Sequence, residues 1–180
     1  VMDAKTGQVL LQNNMYEKEY PASITKILTT ALGLTYAKPE DRITVSQETV
    51  SDVWKWGETT HLALEPGEII TLKDALYGAM VESANDCANA IAQAVSGSLT
   101  DFAELMNQQV AALGLSDTHF TNAHGLPDKD HYTTAYDMAR ITRWAMTVPG
   151  FEEYFCATEY TIPKTNKKDV ARNIGTHHHM

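Results

Sequence analysis

The sequence has little of what several protein classes depend on. Only two cysteines, Cys87 and Cys156, occur among the 180 residues, too few for a disulfide framework or a cysteine metal site. No apolar run approaches the ~20 residues that a membrane-spanning helix needs. No internal repeat, low-complexity segment or interdomain linker interrupts the chain. These absences argue against a disulfide-stapled or repeat architecture and favour one ordinary domain.

Positive charge is also scarce. The chain has 14 Lys and Arg against 23 Asp and Glu, a net charge of -9, and its basic residues are scattered. This balance argues against nucleic acid and against an anionic membrane surface as partners. There is no signal peptide. Because the chain opens at Val1 inside a predicted strand, we expect the natural N-terminus to be missing. The absence of a signal peptide from this sequence therefore says nothing about export.

The composition is that of a globular protein, with 43% apolar and 21% charged residues. Hydrophobic periodicity, capping boxes and turn residues predict the elements along the chain. The sequence predicts a hairpin over 1–11, a buried helix from Pro21, a strand over 43–45, an irregular segment over 46–66, helices over 71–81, 86–95, 101–113 and 134–147, a loop over 118–127 and a strand over 160–162. The irregular segment contains Trp54 and Trp56, which either line a groove or belong to the core.

The helix from Pro21 carries a possible catalytic pair. Ser23 and Lys26 are three residues apart, so they lie on one face of a helix, one turn from each other. A serine hydroxyl becomes a strong nucleophile when a base takes its proton. A lysine whose pKa is lowered by burial can be that base. The alternative from spacing alone is a solvated lysine beside a first-turn serine, because both residues are common.

A second short motif, Ser83-Ala84-Asn85, falls in a predicted break between two helices. Such a break can project a hydroxyl and an amide into a cleft. The serine can then relay protons, and the asparagine can hold both a substrate amide and the lysine. The same three residues also suit ordinary helix capping.

Four blocks in order resemble the low-molecular-mass penicillin-binding proteins, the serine D-alanyl-D-alanine carboxypeptidases. S-x-x-K and a serine-asparagine motif belong to that set. The resemblance covers nearly the whole chain, to Asn173, and rests on Tyr20-Pro21-Ala22-Ser23-Ile24-Thr25-Lys26, Glu82-Ser83-Ala84-Asn85-Asp86, Leu113-Gly114-Leu115 with Thr118-His119-Phe120, and His124-Gly125-Leu126 with Asp137-Met138-Ala139.

The resemblance implies a role for each matching residue. Ser23 is the acylated nucleophile, with its backbone N–H as half of the oxyanion hole, and Lys26 is the general base. Ser83 relays protons and Asn85 binds the peptide. The implied substrate is a peptidoglycan stem peptide ending in D-Ala-D-Ala, β-lactams acylate the same serine, and no metal or other cofactor is needed. The implied location is extracytoplasmic, at the cell wall or the outer face of the cytoplasmic membrane.

The implied fold is α+β, of the DD-peptidase/β-lactamase type. We expect a helix-rich subdomain over roughly 34–147 and a partial antiparallel sheet that holds the opening hairpin. The family's third motif, a K-T-G strand, does not follow Asn85. Lys5-Thr6-Gly7 precedes Ser23 and suits a tight turn, so we interpret it as a turn and not as that motif.

The chain therefore resembles one partial catalytic domain over 1–180, truncated before the K-T-G strand and without the last strands of the sheet. We expect it to be a weak or inactive enzyme by itself. An uncovered sheet edge also favours self-association. Two other functions remain open: a β-lactamase of the same fold and a non-catalytic peptidoglycan-binding module.

The histidines invite a metal hypothesis that their spacing does not support. His61, His119, His124 and His131 have no ligand spacing, and satisfied loop histidines are the expectation. The run 177–179 is interpreted as native sequence leading toward the missing motif. Cys87 lies close to Asn85 in a helix of small residues, where a packed thiol is expected.

Overall fold

The computed structural model describes residues 1–176. Its helices account for most of the regular structure in that range. A 3₁₀ turn over Ala22–Ile24 leads into the first α-helix. The α-helices are α1 (Thr25–Tyr36), α2 (Gln47–Trp54), α3 (Leu72–Val81), α4 (Asn85–Ser96), α5 (Leu99–Ala112), α6 (Ala135–Ala145) and α7 (Phe151–Phe155).

The strands are short and pair only in twos within the described residues. Three separate antiparallel pairs form: β1 (Lys18–Glu19) with β4 (Thr133–Thr134), β2 (Arg42–Thr44) with β3 (Ile69–Thr71), and β5 (Glu159–Ile162) with β6 (Arg172–Gly175). Helices with small antiparallel sheets confirm the predicted α+β class. The helical subdomain boundaries, 34–147, stay a prediction.

Helix α1 lies at the centre of the fold, as its apolar sequence predicts. It packs against α3, α4, α6 and α7. Leu28 and Leu32 are fully buried on it. Gly33 allows a close approach to α4, because a Cβ there would stand 2.9 Å from a methyl group of Ile91. A serine and a lysine at the start of this helix are therefore carried by a buried, well-packed element.

Side-chain caps explain where several helices begin. Thr71 and Asp74 form the predicted capping box at α3, with each side chain accepting a hydrogen bond from the other residue's backbone N–H at 3.1 and 3.0 Å. At α6 the Thr134 hydroxyl accepts from the backbone N–H of Asp137 at 3.0 Å. Both helices therefore confirm the prediction from capping residues.

The irregular segment predicted over 46–66 is partly wrong. Helix α2 fills its first half, because the Ser46 hydroxyl accepts from the backbone N–H of Thr49 at 3.1 Å and caps the helix. Trp54 and Trp56 are 51% and 42% exposed, so neither tryptophan belongs to the core.

The opening hairpin is also smaller than predicted. Over 1–11 the structure has a single bridge, between Met2 and Val9, and no sheet among the described residues includes it. The predicted strand over 160–162 is confirmed within β5, whereas α7 and β6 were not predicted. No helix among residues 1–176 is long and apolar enough to cross a membrane.

Candidate active site

Ser23 and Lys26 meet at the entrance to α1. The expected α-helix does not begin at Pro21: residues 22–24 form a 3₁₀ turn, and the α-helix begins at Thr25. The tighter turn still keeps the two side chains together. Lys26 Nζ lies 3.2 Å from Ser23 Oγ, within hydrogen-bond distance. Ser23 is exposed and Lys26 is only 2% exposed, so the hydroxyl faces solvent while the amine lies beneath it.

Three oxygen atoms surround the amine of Lys26. Besides Ser23 Oγ, the amine donates to Asn85 Oδ1 at 2.7 Å and to the backbone carbonyl of His124 at 2.8 Å. All three acceptors are uncharged. Such acceptors fix the position of the amine without providing the formal negative charge that would hold it protonated.

Burial lowers the pKa of Lys26 from its ordinary 10.5 to about 7. The main cause is loss of hydration of the ammonium form, and the nearby Cys87 and Asp86 oppose it by raising the pKa. A lysine with this pKa is substantially neutral at physiological pH. It therefore has both the geometry and the protonation state of a base for Ser23.

Ser83 and Asn85 occupy the predicted break between α3 and α4. Ser83 has φ +60°, a left-handed conformation that a non-glycine residue adopts at a cost of order 1 kcal/mol. Its hydroxyl has no hydrogen-bond partner among residues 1–176, so the structure does not join it to Lys26 directly. Asn85 begins α4, is 4% exposed and does contact Lys26.

The loop after α5 contributes a contact that residue-level reasoning did not identify. His124 binds Lys26 through its backbone, and Gly125 packs directly on the turn that carries Ser23. A Cβ at Gly125, whose φ is +90°, would stand 1.9 Å from the carbonyl oxygen of Ala22. Only glycine fits at this position. The block His124-Gly125-Leu126 was a signal for this contact, although its spacing alone does not reveal a backbone role.

His131 anchors the same loop to α1. Its Nδ1 accepts from the backbone N–H of Thr121 at 3.0 Å, so its Nε2 carries the proton and donates to Thr25 Oγ1 at 2.9 Å. Burial lowers the pKa of His131 to about 4. The ring is thus neutral and both of its nitrogens are hydrogen-bonded, as expected for a satisfied loop histidine.

These elements enclose a cleft of about 210 Å³ beside Ser23. Its lining comes from the turn before α1, the start of α4, the loop after α5 and the loop after α2, and includes Ser23, Thr59, Thr60, Asn85, His124 and Leu126. The described residues thus provide the side of the cleft that carries the hydroxyl, the amine and the amide.

Other residues singled out by sequence lie elsewhere. Lys5 belongs to a turn whose backbone is held by Arg143, which donates to the carbonyls of Ala4 and Lys5 at 2.9 Å each. Lys5 does not line the Ser23 cleft. Cys87 is fully buried, and burial raises the pKa of its thiol well above the usual value.

Among the four predicted loop histidines, the ring contacts are to protein groups. His61 Nδ1 accepts from a backbone N–H, and His119 Nδ1 lies 2.6 Å from the carbonyl of Asp130. Within residues 1–176 no cluster of three or more His, Cys, Asp or Glu side chains is placed to hold a metal ion. The run 177–179 lies outside the described residues.

Comparison with known proteins agrees with this geometry. A family model described as D-alanyl-D-alanine carboxypeptidase, peptidase family S11, matches residues 1–177. The D-alanyl-D-alanine carboxypeptidase DacF of Bacillus subtilis is 34% identical over 174 residues, covering 93% of this chain and 43% of DacF. DacC of Escherichia coli is 36% identical over 151 residues, covering 78% of this chain and 37% of DacC.

The solved structures agree as well. Penicillin-binding protein 6B from Escherichia coli aligns with a TM-score of 0.87 and 28% identity, covering 98% of this chain and 56% of that one. The chain thus spans about two-fifths of the length of the two carboxypeptidases above. With a family match along almost its whole length and a shared fold, this chain belongs to the S11 family of D-alanyl-D-alanine carboxypeptidases.

Proposed function

We propose that these residues form the acylation site of a serine-type D-alanyl-D-alanine carboxypeptidase. One observation carries the proposal: Lys26 Nζ lies 3.2 Å from the exposed Ser23 Oγ and is itself buried, with a pKa lowered to about 7. A nucleophile with a base of matched pKa in hydrogen-bond reach is the arrangement that covalent catalysis requires.

In the proposed reaction, neutral Lys26 takes the proton of Ser23 Oγ. The oxygen attacks the carbonyl carbon of the penultimate D-alanine, and the backbone N–H of Ser23 donates to the developing oxyanion. When the peptide bond breaks, its nitrogen receives a proton and the terminal D-alanine leaves. Water then hydrolyses the Ser23 ester, which releases the shortened peptide and restores the hydroxyl.

Ser83 and Asn85 have supporting roles in this proposal. The Ser83 hydroxyl has no protein partner among the described residues, and it can pass the proton from Lys26 to the leaving nitrogen. Asn85 holds Lys26 through Oδ1, and its amide nitrogen donates to Thr59 Oγ1 at 2.6 Å. That nitrogen has a second N–H, which can donate to a substrate carbonyl.

The proposed substrate is a peptidoglycan stem peptide that ends in D-Ala-D-Ala. β-Lactams are proposed to acylate Ser23 as well, because their strained amide presents a carbonyl to the same nucleophile. Such a substrate places the protein outside the cytoplasm, at the cell wall or the outer face of the membrane. Self-association of the 180-residue chain is part of the same proposal, since large apolar side chains such as Leu11 and Val170 are exposed on its surface.

The test is covalent labelling of the full-length protein by penicillin, read by mass spectrometry with peptide mapping. We expect one adduct, on Ser23, and none in Ser23→Ala with an unchanged melting temperature. A long-lived adduct together with release of D-alanine from a D-Ala-D-Ala peptide supports the carboxypeptidase. Rapid turnover of penicillin would indicate a β-lactamase instead, and no adduct would indicate a binding module.

A further inference from the structure

The two oxygen atoms that hold Lys26 from beyond its own helix are themselves held by one stretch of chain. Asn85 Oδ1 and the His124 carbonyl lie in different elements, far apart in sequence. Yet the side chains of both residues bind a single segment, 52–59, which runs from the end of α2 into the following loop. This segment does not touch Ser23 or Lys26 through any hydrogen bond in the described structure.

Thr59 contacts the Asn85 side chain. Asn85 Nδ2 donates to Thr59 Oγ1 at 2.6 Å, and this bond fixes which end of the amide faces Lys26. A carboxamide has an acceptor end and a donor end of nearly equal shape, so sterics alone do not choose between the two orientations. With the nitrogen held by Thr59, the oxygen faces the lysine.

Asp52 contacts the His124 side chain. His124 Nδ1 accepts from the backbone N–H of Leu126 at 3.0 Å, so the proton is on Nε2, which donates to Asp52 Oδ2 at 3.0 Å. The ring is 2% exposed, and these two bonds use both of its nitrogens. The backbone that carries the His124 carbonyl is thereby fixed at the distance that Lys26 needs.

The segment is firmly attached to the body of the protein. Asp52 Oδ2 also accepts from Asn89 Nδ2 at 3.0 Å, which ties it to α4. Beyond Thr59, the carbonyl of Thr60 accepts from the backbone N–H of Asn85 at 2.9 Å. The segment is thus joined to α4 at both of its ends.

We propose that segment 52–59 is the positioning element of the active site, with Thr59 orienting Asn85 and Asp52 orienting His124 so that both oxygens hold the amine of Lys26 against Ser23. The inference rests on the proposed role of Lys26 as the base. Without the segment, the amine keeps its burial but loses its defined direction, and small misplacements of reacting groups cost up to about a hundredfold in rate.

The matched variants are Thr59→Val, which removes the hydroxyl and keeps the shape, and Thr59→Ser, which restores it. We expect the penicillin acylation rate of the full-length protein to fall about ten- to a hundredfold in Thr59→Val and to stay within about twofold in Thr59→Ser. Thr35→Val is the control, because Thr35 lies exposed at the far end of α1 and bonds only to Ala31.

A second readout separates positioning from general damage. In Thr59→Val the Asn85 amide is no longer held with its oxygen toward Lys26. When the amide turns, the ammonium form loses the Oδ1 acceptor, so the midpoint of the acylation rate against pH should move to lower pH. The ionisable groups around the amine are Asp86 and Cys87 directly, and Asp52 and Lys55 through His124. None of these groups is altered by the substitution.

Substitutions at Asp52 provide an independent test, which does not depend on whether Thr59→Val folds. Asp52→Asn keeps an oxygen for His124 Nε2–H and should retain most of the acylation rate. Asp52→Leu removes that oxygen and should slow acylation about tenfold or more. Equal rates in the two Asp52 variants would overturn the positioning role of Asp52.

The outcomes distinguish this inference from the proposed function. If the wild-type protein forms no adduct on Ser23, the proposed function itself fails. If the wild-type protein is acylated on Ser23 but Thr59→Val matches it in rate and in pH midpoint, only the positioning inference is overturned. A rate lost in Thr59→Val and not restored in Thr59→Ser would also contradict it.

Discussion

At the scale of single residues, the central feature is a lysine that is buried without a formal countercharge against its amine. Its hydrogen-bond acceptors are a hydroxyl, an amide oxygen and a backbone carbonyl. A carboxylate in their place would raise the pKa of Lys26 and hold it protonated. Neutral acceptors position the amine and leave it able to take a proton, which is the property a base requires.

Lys26→Arg tests whether the residue acts as a base or as a charge. Arginine keeps a cation near Ser23 but does not lose its proton in proteins. We expect acylation by penicillin to fall nearly as far in Lys26→Arg as in Lys26→Ala, by a hundredfold or more as is typical of a lost base. Most of the activity surviving in Lys26→Arg would mean that charge alone is required.

His131 makes a prediction about stability and pH. Its pKa is about 4 in the folded protein against an ordinary 6.5, because burial disfavours the charged ring. As the pH falls below about 6.5 the unfolded chain takes up this proton first, so the free energy of unfolding should decline and then level off below about 4. The loss is about 3 kcal/mol at most.

Urea unfolding of His131→Gln at several pH values checks this expectation. The variant should lose less stability on acidification than the wild type, with the remaining loss due in part to His124, whose pKa burial also lowers. His61→Gln is the control, since His61 is exposed. Parallel pH dependence in His131→Gln and the wild type would rule out the buried ring as a cause.

At the scale of elements, the strand pair β5–β6 is fastened to the rest of the fold by a buried ion pair. Glu68 is fully buried before β3, and Arg172 in β6 donates to its Oε1 at 2.6 Å. Thr165, in the connection between the two strands, donates to the same oxygen at 2.9 Å. This attachment joins residues about a hundred positions apart in the sequence.

Arg172→Leu should be strongly destabilising, because it leaves the carboxylate of Glu68 buried and without its charge partner. Removing one member of a buried pair typically costs about 3–5 kcal/mol of unfolding free energy. Urea denaturation measures the change. Lys164→Leu, which removes an exposed positive charge from the same connection, should stay within about 0.5 kcal/mol. Similar midpoints for the two variants would show that the ion pair does not fasten the strands.

Local sequence rules predicted those elements whose signals lie within a few residues. Thr71 and Thr134 marked helix starts correctly because a capping side chain bonds within its own first turn. Helix α2 was missed although Ser46 caps it, because only Val50 and Val53 supply buried apolar residues and its last residue, Trp54, is exposed. The hairpin over 1–11 was overpredicted because strand pairing depends on neighbours that local patterns do not specify.

In the candidate site, too, the contacts between residues close in sequence could be predicted and the tertiary contacts could not. Ser23 and Lys26 are one turn apart, so their contact follows from helix geometry alone, even though the turn proved to be 3₁₀. The carbonyl of His124 and the hydroxyl of Thr59 act through the tertiary arrangement, and a backbone acceptor leaves no signature in residue type. The motif blocks indicated the neighbourhood of these residues but not the atoms that make contact.

At the scale of the whole molecule, the described residues place Ser23 and Asn85 in the lining of the cleft, with the buried amine of Lys26 beneath Ser23. In the family pattern, a K-T-G strand on the other side binds the substrate carboxylate and adds an oxyanion-hole donor, and losing one such donor costs about a hundred- to a thousandfold in rate.

We therefore expect the 180-residue chain to be acylated far more slowly than a version extended through the next several tens of residues. Fluorescent penicillin measures both rates, and light scattering on the same samples measures self-association. Equal rates, with a monomeric short chain, would show that the 180 residues already form a complete site.

The pH dependence of Ser23 acylation in the full-length protein tests the role of Lys26 most directly. The second-order rate constant reports the ionisation of the free enzyme, so it should rise with pH and level off, with a midpoint near 7 set by Lys26. Penicillin does not ionise in this range, so the rise of the rate constant with pH reports a group on the protein. A rate constant that stays flat between about pH 5 and 9, or a midpoint near the ordinary lysine value of 10.5, would contradict Lys26 as the base that activates Ser23.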